Sequence, residues 1–301
     1  MSKELIDLKK NFDKLYLDEN LSRYSWFNLG GTADVFFRPK DQDNLINFLK
    51  HTNKFNKKIN IIGAGSNTLI REGKLNGVMI KLGSNFSYIR LLTDYIIEVG
   101  AATLDKKISD FATENSLAGL EFLSCIPGSI GGSIIMNSGC YGHDISKILQ
   151  SIKTIDHQGN IKEINQNEIK FGYRESDLPK NLIILSAKLR GDLLKKDVIK
   201  NKQLELIKKK KNSQPSQIKT CGSTFKNPKN MKAWQLIKES NCDKLFVGDA
   251  KISEKHCNFF VNNGKATTSE IESLINEVKT KVLKKTGIKL ELEIKIIGED
   301  K

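Results

Sequence analysis

The chain has 301 residues, 39% of them hydrophobic and 28% charged, with a formal net charge of +14 at pH 7. That is enough length for two or three globular cores of roughly 100–150 residues. It contains no run of about 18 apolar residues and no apolar signal-peptide core after "MSKELIDLKK", so membrane insertion and secretion are not expected. Five scattered cysteines (125, 140, 221, 242 and 257) form no CxxC pair and have no zinc-spaced histidines, which points to reduced thiols, no metal and a cytoplasmic protein.

The basic excess is almost all lysine; the chain has only six arginines. Base readout and forked phosphate contacts favour arginine, so a solvated lysine surface, with no nucleic-acid partner, is the expectation. The dense run Lys208–Lys211 ends a helix-like stretch, where cations also complement the helix dipole.

In chain order, residues 1–20 read as a charged amphipathic helix or arm. "TADVFFRP" (32–39) reads as a strand stopped by Pro39. "DQDNLINFLKHTNKF" reads as a helix with Asp41 as N-cap. "INII" and "GVMIKL" are short buried strands. "FSYIRLLTDYIIEVG" predicts a hairpin around Thr93-Asp94, and "LDKKISDFATENSL" (104–117) an amphipathic helix. A nearly uncharged stretch with five glycines follows, "FLSCIPGSIGGSIIMNSGCYG". Two strands flank Gln158-Gly159, "NLIILSAKLR" is another strand, and residues 194–212 form a lysine-rich helix. Beyond it come the helix "MKAWQLIKES", the strand "NFFVN", and a long helix opened by the capping box Thr267-x-x-Glu270. The last strand, "KLELEIKII", alternates throughout. The pattern is α+β, divided into 1–82, 83–193 and 194–301.

"INIIGAGSNTLI" (59–70) opens like a dinucleotide fingerprint. The third glycine is replaced by Thr68, and the next strand ends in Lys81 and Gly83 with no ribose-binding acid. No Gly-Lys-Ser/Thr follows, so a Walker A loop fails too. Alone, the stretch is equally a glycine turn after a strand. A second loop, "PGSIGG" (127–132), offers small residues whose N–H groups can face an anion. Two such loops fit a ligand with a pyrophosphate and a large ring. Backbone N–H groups with Ser66, Asn67 and Ser129 would cradle the phosphates.

"GAGSNTLI" and "CIPGSIGGSIIMNSGCYG" resemble the FAD-binding loops of the vanillyl-alcohol-oxidase (PCMH) type fold. "SWFNLGGTADVFFRP", "FGYRES", "TCGSTFKNP", "SEKHCNFFVNNGKAT" and "GIKLELEIKIIG" narrow the resemblance to the UDP-N-acetylenolpyruvoylglucosamine reductase family, from about residue 20 to 298. The resemblance implies two FAD-binding subdomains (1–82 and 83–193) and a substrate domain (194–301). It implies non-covalent FAD held by Gly63, Ala64, Gly65, Ser66, Asn67, Pro127, Gly128, Ser129, Gly131 and Gly132. NADPH would be co-substrate, and the chain would act as a monomer in peptidoglycan synthesis.

The implied reaction delivers hydride to an enolpyruvyl vinyl carbon and leaves an enolate-like carbanion to be stabilised and protonated. Arg174 would polarise the carboxylate, where a forked, always-charged guanidinium suits the task; without the resemblance it reads as a surface ion-pair residue. Ser223 would donate the proton, although alone it reads as a turn serine; its neighbour Cys221 is a thiol that could be alkylated and falsely implicate itself. Glu293, the second of two glutamates on a strand face otherwise solvated, would be the catalytic glutamate. Tyr173, Asn227 and Lys211 would lie near substrate, Lys211 at the UDP diphosphate. His256 is expected to pack rather than catalyse, and Gln235 stands where relatives carry lysine. Only 48 residues separate Arg174 from Ser223, which matches the shorter subtype without a tyrosine loop. The competing readings are another flavoprotein of the same fold and a basic nucleic-acid-binding protein.

Overall fold

Alternating and helical apolar patterns decide which elements form, and they do so within two units of the chain. The computed structural model describes residues 8–53 and 58–300. One unit takes Met1–Leu17, Val35–Ala64 and Gly77–Lys210; the other takes Asp18–Asp34, Gly65–Asn76 and Lys211–Lys301.

The strands Leu15–Asn20, Thr32–Phe37, Leu75–Ile80 and Ile59–Ile61 are adjacent in that order, with residues 15–17, 35–37, 77–80 and 59–61 of them in the first unit. Ile59–Ile61 runs parallel to the strand beside it, with Ile59 opposite Val78. The helix Gln42–Asn53 buries Leu45, Phe48 and Leu49 on one face, and the Phe37 and Phe48 rings stack 3.9 Å apart. Asp41 Oδ1 accepts the Asn44 N–H at 2.8 Å, the cap the sequence predicts. The expected amphipathic helix or arm at 1–20 is corrected in part. Residues 15–20 form a strand, because "LYLDEN" alternates buried Leu15 with exposed Tyr16; residues 1–7 lie outside the described residues.

A second sheet of this unit is antiparallel throughout, in the order Ile161–Asn165, Leu149–Ile155, Ile183–Arg190, Ile96–Gly100, Ile89–Thr93. Both predicted hairpins are present. Gly159, at φ +88°, sits in the turn of the second, where a side chain would be strained. The helices Asp105–Glu114 and Ile130–Ile135 cover this sheet, burying Ile108, Ala112, Ile130 and Ile134 with Ile97, Val99, Ile152 and Leu189.

The other unit contains a three-stranded antiparallel meander, Phe246–Val247, Ala250–Ile252 and Phe260–Asn262. The helix Thr268–Thr286 packs Ile271, Leu274, Ile275, Val278 and Val282 into its core. Its capping box forms as predicted, with the Thr267 hydroxyl accepting from Glu270 N–H at 3.1 Å, and Gly287 ends it in the left-handed region at φ +72°. Arg71 holds Glu272 with two bonds of 2.8 Å.

One predicted element is divided. "KLELEIKII" is not one ladder strand. Leu292 bridges Phe225, and only Lys295–Ile297 forms a strand, parallel to Thr68–Ile70. The alternation survives the change of partner, since Leu290 and Ile294 are buried and Glu291 is exposed. A pattern of period two fixes the faces of a strand and leaves its neighbours open.

Candidate active site

The first glycine loop is where the chain passes out of one unit into the other, so its halves belong to different settings. In the first unit, Gly63 lies against the second glycine loop. A Cβ at Gly63 would come within 2.6 Å of Ser129 Oγ, so the two loops approach at backbone distance. Lys81 Nζ donates to the Gly63 carbonyl, and burial lowers the Lys81 pKa, with Arg38 adding to the shift.

The glycines of 127–132 serve close packing as well as openness. Added Cβ atoms at Gly128 and Gly131 would meet Asp105 Oδ2 at 2.7 Å and Ala101 at 3.1 Å. Ile130 and Gly131 N–H groups donate to Thr103 and Ala101 carbonyls at 2.9 and 3.0 Å. Those two donors are therefore spent within the fold, which narrows the anion-facing set the sequence offers. Gly132 meets only Ser129 Oγ, at 3.8 Å. The loop thus keeps a side without bulk, which suits close approach by a flat ring or a phosphate.

Beneath the loop sits a residue that the sequence does not flag. Asp105 is fully buried; Ser133 Oγ donates to its Oδ2 at 2.6 Å, and its Oδ1 has no partner. Burial pushes its carboxyl up to about 7, with the Ser133 hydrogen bond opposing. An aspartate opening an amphipathic helix reads as a surface cap, so no sequence signal marks it.

Tyr173 and Arg174 are the two turn residues of a tight hairpin, Phe171–Gly172 paired with Glu175–Ser176. Arg174 adopts φ +61°, a conformation uncommon for a side chain with a Cβ and frequent at functional sites. The turn is fastened to the end of the glycine-loop helix: Ser176 Oγ donates to the Ile135 carbonyl at 2.9 Å, and Asn137 Nδ2 to the Gly172 carbonyl at 2.9 Å. Arg174 Nη2 donates to the Gly139 carbonyl at 2.6 Å, with its guanidinium 5.0 Å from the Tyr173 ring centre. Nothing about "GYRES" alone foretells that anchoring.

The lysine run resolves by helical geometry. In the helix Lys196–Ser213 the buried stripe is Ile199, Gln203 and Leu206. Four residues on, Lys210 continues it and donates from Nζ to the Cys125 carbonyl at 2.9 Å, two residues before Pro127. Burial lowers its pKa. Spacing of three and four along the run could have singled out Lys210. Lys211 is exposed, and its carbonyl accepts from Lys255 Nζ at 2.7 Å.

In the other unit, Gly65 is required by geometry. Its φ is +72°, and a Cβ would fall 1.8 Å from the Tyr24 carbonyl oxygen. Asn67 Nδ2 donates to the Glu293 carbonyl at 3.1 Å, and Lys295 N–H to the Asn67 carbonyl at 2.9 Å. Glu293 N–H donates to Thr224 at 2.8 Å, and Lys226 N–H to Glu291 at 2.8 Å. The segment carrying Ser223 therefore runs antiparallel to the segment carrying Glu293, which places the two candidates on neighbouring backbones. Glu293 is half-buried where Glu291 is exposed. Ser223 follows Gly222 at φ +78° and is also half-buried. Asn227 Oδ1 accepts the Ala233 N–H at 3.0 Å, at the start of the helix Ala233–Glu239, where Gln235 is exposed.

Cys221 is not the reactive neighbour that adjacency suggested. It is 2% exposed, and its thiol lies 3.2 Å from the Thr68 carbonyl oxygen. Burial pushes its pKa up to about 11. His256 packs its ring edge-on against Phe259 at 4.8 Å, and its Nδ1 accepts the Asn258 N–H at 3.3 Å. No cluster of three metal-binding side chains and no helix long and apolar enough to cross a membrane occurs among the described residues.

Comparison with known proteins gives the family. Residues 33–165 match the family model described as FAD binding domain. Residues 214–297 match that of the UDP-N-acetylenolpyruvoylglucosamine reductase C-terminal domain. UDP-N-acetylenolpyruvoylglucosamine reductase of Pelagibacter ubique is 49% identical over 287 residues, covering 94% of this chain and 95% of its own. That of Rickettsia bellii is 44% identical over 282 residues, covering 94% and 93%. The crystal structure of the Thermus caldophilus reductase (MurB) superposes with a TM-score of 0.81 at 29% identity, covering 94% of this chain and 98% of that one. A glucose dehydrogenase, Phl p 4.0202, is similar in fold alone, at a TM-score of 0.51 and 11% identity over 65% of this chain and 45% of its own. The expected α+β architecture with a PCMH-type FAD-binding fold is thereby met, and the chain belongs to the UDP-N-acetylenolpyruvoylglucosamine reductase (MurB) family.

Proposed function

We propose that the chain is an FAD-dependent oxidoreductase that reduces the enolpyruvyl ether of UDP-N-acetylglucosamine to UDP-N-acetylmuramate in peptidoglycan synthesis. The observation that carries this reading is full-length likeness to reductases of that name, 49% identity over 94% of the chain. FAD is held without a covalent bond by Gly63, Ala64, Gly65, Ser66 and Asn67 of one loop and by Pro127, Gly128, Ser129, Gly131 and Gly132 of the other. The close approach of Gly63 to Ser129 and the open side of Gly132 support that assignment. When bound, FAD supplies the hydride carrier, loaded by NADPH and discharged to the vinyl carbon of the substrate.

The side chains then manage charge and proton. Arg174 grips the substrate carboxylate, on which negative charge grows as hydride arrives. Its tethered turn holds the guanidinium in place before substrate binds, so little reorganisation accompanies the charge. Ser223 gives its hydroxyl proton to the carbanion, a strong enough base to take it from a neutral donor. Glu293 polarises the developing acid. Tyr173 and Asn227 border the substrate, and Lys211 offers its exposed ammonium to the UDP diphosphate. Residues 1–82 and 83–193 serve FAD and 194–301 the substrate. The short Arg174–Ser223 spacing assigns the chain to the subtype without a tyrosine loop. It acts in the cytoplasm as a monomer.

The test is NADPH oxidation by purified holoenzyme with and without the enolpyruvyl UDP-sugar. Consumption that requires the sugar nucleotide is the expected result; substrate-independent oxidation alone points to another flavoprotein of this fold.

A further inference from the structure

We propose that Lys81 is a binding residue for FAD, supplying from behind the first glycine loop the positive charge that the cofactor's pyrophosphate calls for. A pyrophosphate diester is a dianion, yet neither "GAGSN" nor "PGSIGG" carries a lysine or arginine. Lys81 stands just beyond the strand Leu75–Ile80, which runs parallel to Ile59–Ile61 with Ile61 opposite Ile80. The two strands therefore end side by side, and the Ile62 N–H donates to the Ile80 carbonyl at 3.0 Å. Ligands of open α/β sheets gather at such carboxyl ends of parallel strands. From there Lys81 Nζ donates to the Gly63 carbonyl.

That hydrogen bond is made to the back of a peptide whose front is open. The Gly63–Ala64 peptide is trans, so its carbonyl and its N–H point opposite ways. Among the described residues, the Gly63 and Ala64 N–H groups donate to no protein acceptor. A cation on the carbonyl polarises the peptide and strengthens the Ala64 N–H as a donor to an anion. Ser129 adds a second group of the same kind. It is 4% exposed, and among the described residues its hydroxyl has no hydrogen-bond partner. Its Oγ lies where a Cβ at Gly63 would come within 2.6 Å.

The ammonium is held there at a cost to the protein alone. Lys81 is half-buried, and Arg38 is the neighbouring charge. The sheet builds in that proximity, since the Lys81 N–H donates to the Phe37 carbonyl at 3.0 Å, one residue before Arg38. Like charges brought together from adjacent strands repel, and an anion at the loop offsets both the repulsion and the burial. The failed fingerprint gains a reason as well. Where a nicotinamide-dinucleotide site keeps an acid for ribose hydroxyls, this chain has a point cation, which suits phosphate.

The experiment measures FAD binding to the full chain by equilibrium dialysis at about 0.05 M and about 1 M salt, for wild type, Lys81→Gln and Lys81→Arg. Lys81→Gln keeps a donor for the Gly63 carbonyl and removes the charge. It should bind FAD about 10-fold more weakly at low salt, with the gap narrowing at high salt, where screening sets in within about 3 Å. Lys81→Arg keeps the charge and should recover most of the affinity. Wild-type affinity in Lys81→Gln, or a loss of the same size at both salt concentrations, overturns the proposal. So does Lys81→Arg binding no better than Lys81→Gln. If Lys81→Gln does not fold, wild type decides: acetylation mapped by mass spectrometry should fall at Lys81 when FAD is bound, and equal acetylation with and without FAD overturns the proposal. The inference rests on the FAD loops proposed above, which Gly63→Ala tests in the same dialysis. If Gly63→Ala binds FAD as wild type does, the loop assignment is wrong; if it weakens binding while Lys81→Gln does not, only the role of Lys81 falls.

Discussion

Arg174, Ser223 and Glu293 are each one residue with one proposed task in the second half of the reaction. Arg174→Ala and Glu293→Ala should still allow NADPH to bleach the flavin, while reoxidation by the enolpyruvyl sugar slows by at least about 10²-fold. Stopped-flow absorbance separates the two halves, and loss of flavin reduction in a folded variant would refute the assignment. Arg174→Lys should not rescue, because an ammonium lacks the planar fork. Ser223→Ala should show the same split; Cys221 cannot stand in as donor, since its thiol faces the Thr68 carbonyl. Asp105 gives a test of a different kind. With its carboxyl at about 7 in the folded protein and the ordinary value of 3.8 when exposed, the native state holds a proton that the unfolded chain releases. The contribution of this carboxyl to stability is then greatest below about pH 4, declines as pH rises towards about 7, and levels off above that. Asp105→Asn should flatten this profile in urea titrations between pH 5 and 8. At pH 8 it should be the more stable protein, by on the order of 3 kcal/mol. An unchanged slope would show that the carboxyl is ionised in the fold.

Elements show which features a sequence displays and which it hides. Thr267-x-x-Glu270 specified the start of the helix Thr268–Thr286, since capping chemistry is local; Thr267→Ala should cost about 1 kcal/mol in chemical denaturation. The hairpins at Thr93-Asp94 and Gln158-Gly159 were legible for the same reason. The strand Thr68–Ile70 was not, because three residues carry no period and its partner Lys295–Ile297 is more than 200 positions away. The lysine run lay between these cases: its charge was visible at once, and its half-buried member emerged only on the helix, where Lys210 continues the stripe of Leu206 and Gln203. The two glycines of "GAGS" separate loop chemistry from loop sterics. Gly65→Ala sets a Cβ into the Tyr24 carbonyl at a strained φ and should destabilise the fold by several kcal/mol. Gly63→Ala meets only the Ser129 hydroxyl, which can rotate. It should leave thermal unfolding of the apoprotein within about 1 kcal/mol of wild type while weakening FAD retention in equilibrium dialysis. Equal destabilisation by both would remove the case for a close approach made for a ligand.

Over the whole molecule, what the residues alone conveyed was an α+β chain with two glycine loops of unstated purpose. Rejecting the dinucleotide fingerprint needed only a missing glycine and a missing acid. Assigning Arg174, Ser223 and Glu293 needed the resemblance, because a turn arginine, a turn serine and a glutamate on a solvated face carry no pattern of their own. The structure adds physical reasons to single them out: a left-handed, tethered arginine, and a serine segment hydrogen-bonded alongside the segment of a half-buried glutamate. Family membership now rests on near-complete coverage in both directions. Purified protein should be yellow and release free FAD on denaturation. The central claim is that this flavin passes its electrons to the enolpyruvyl sugar nucleotide. The most direct measurement is anaerobic: reduce the bound flavin with one equivalent of NADPH, add UDP-N-acetylglucosamine enolpyruvate, and follow flavin absorbance. The account predicts immediate recovery of the oxidised spectrum with formation of UDP-N-acetylmuramate; flavin that stays reduced in the presence of that substrate would contradict it.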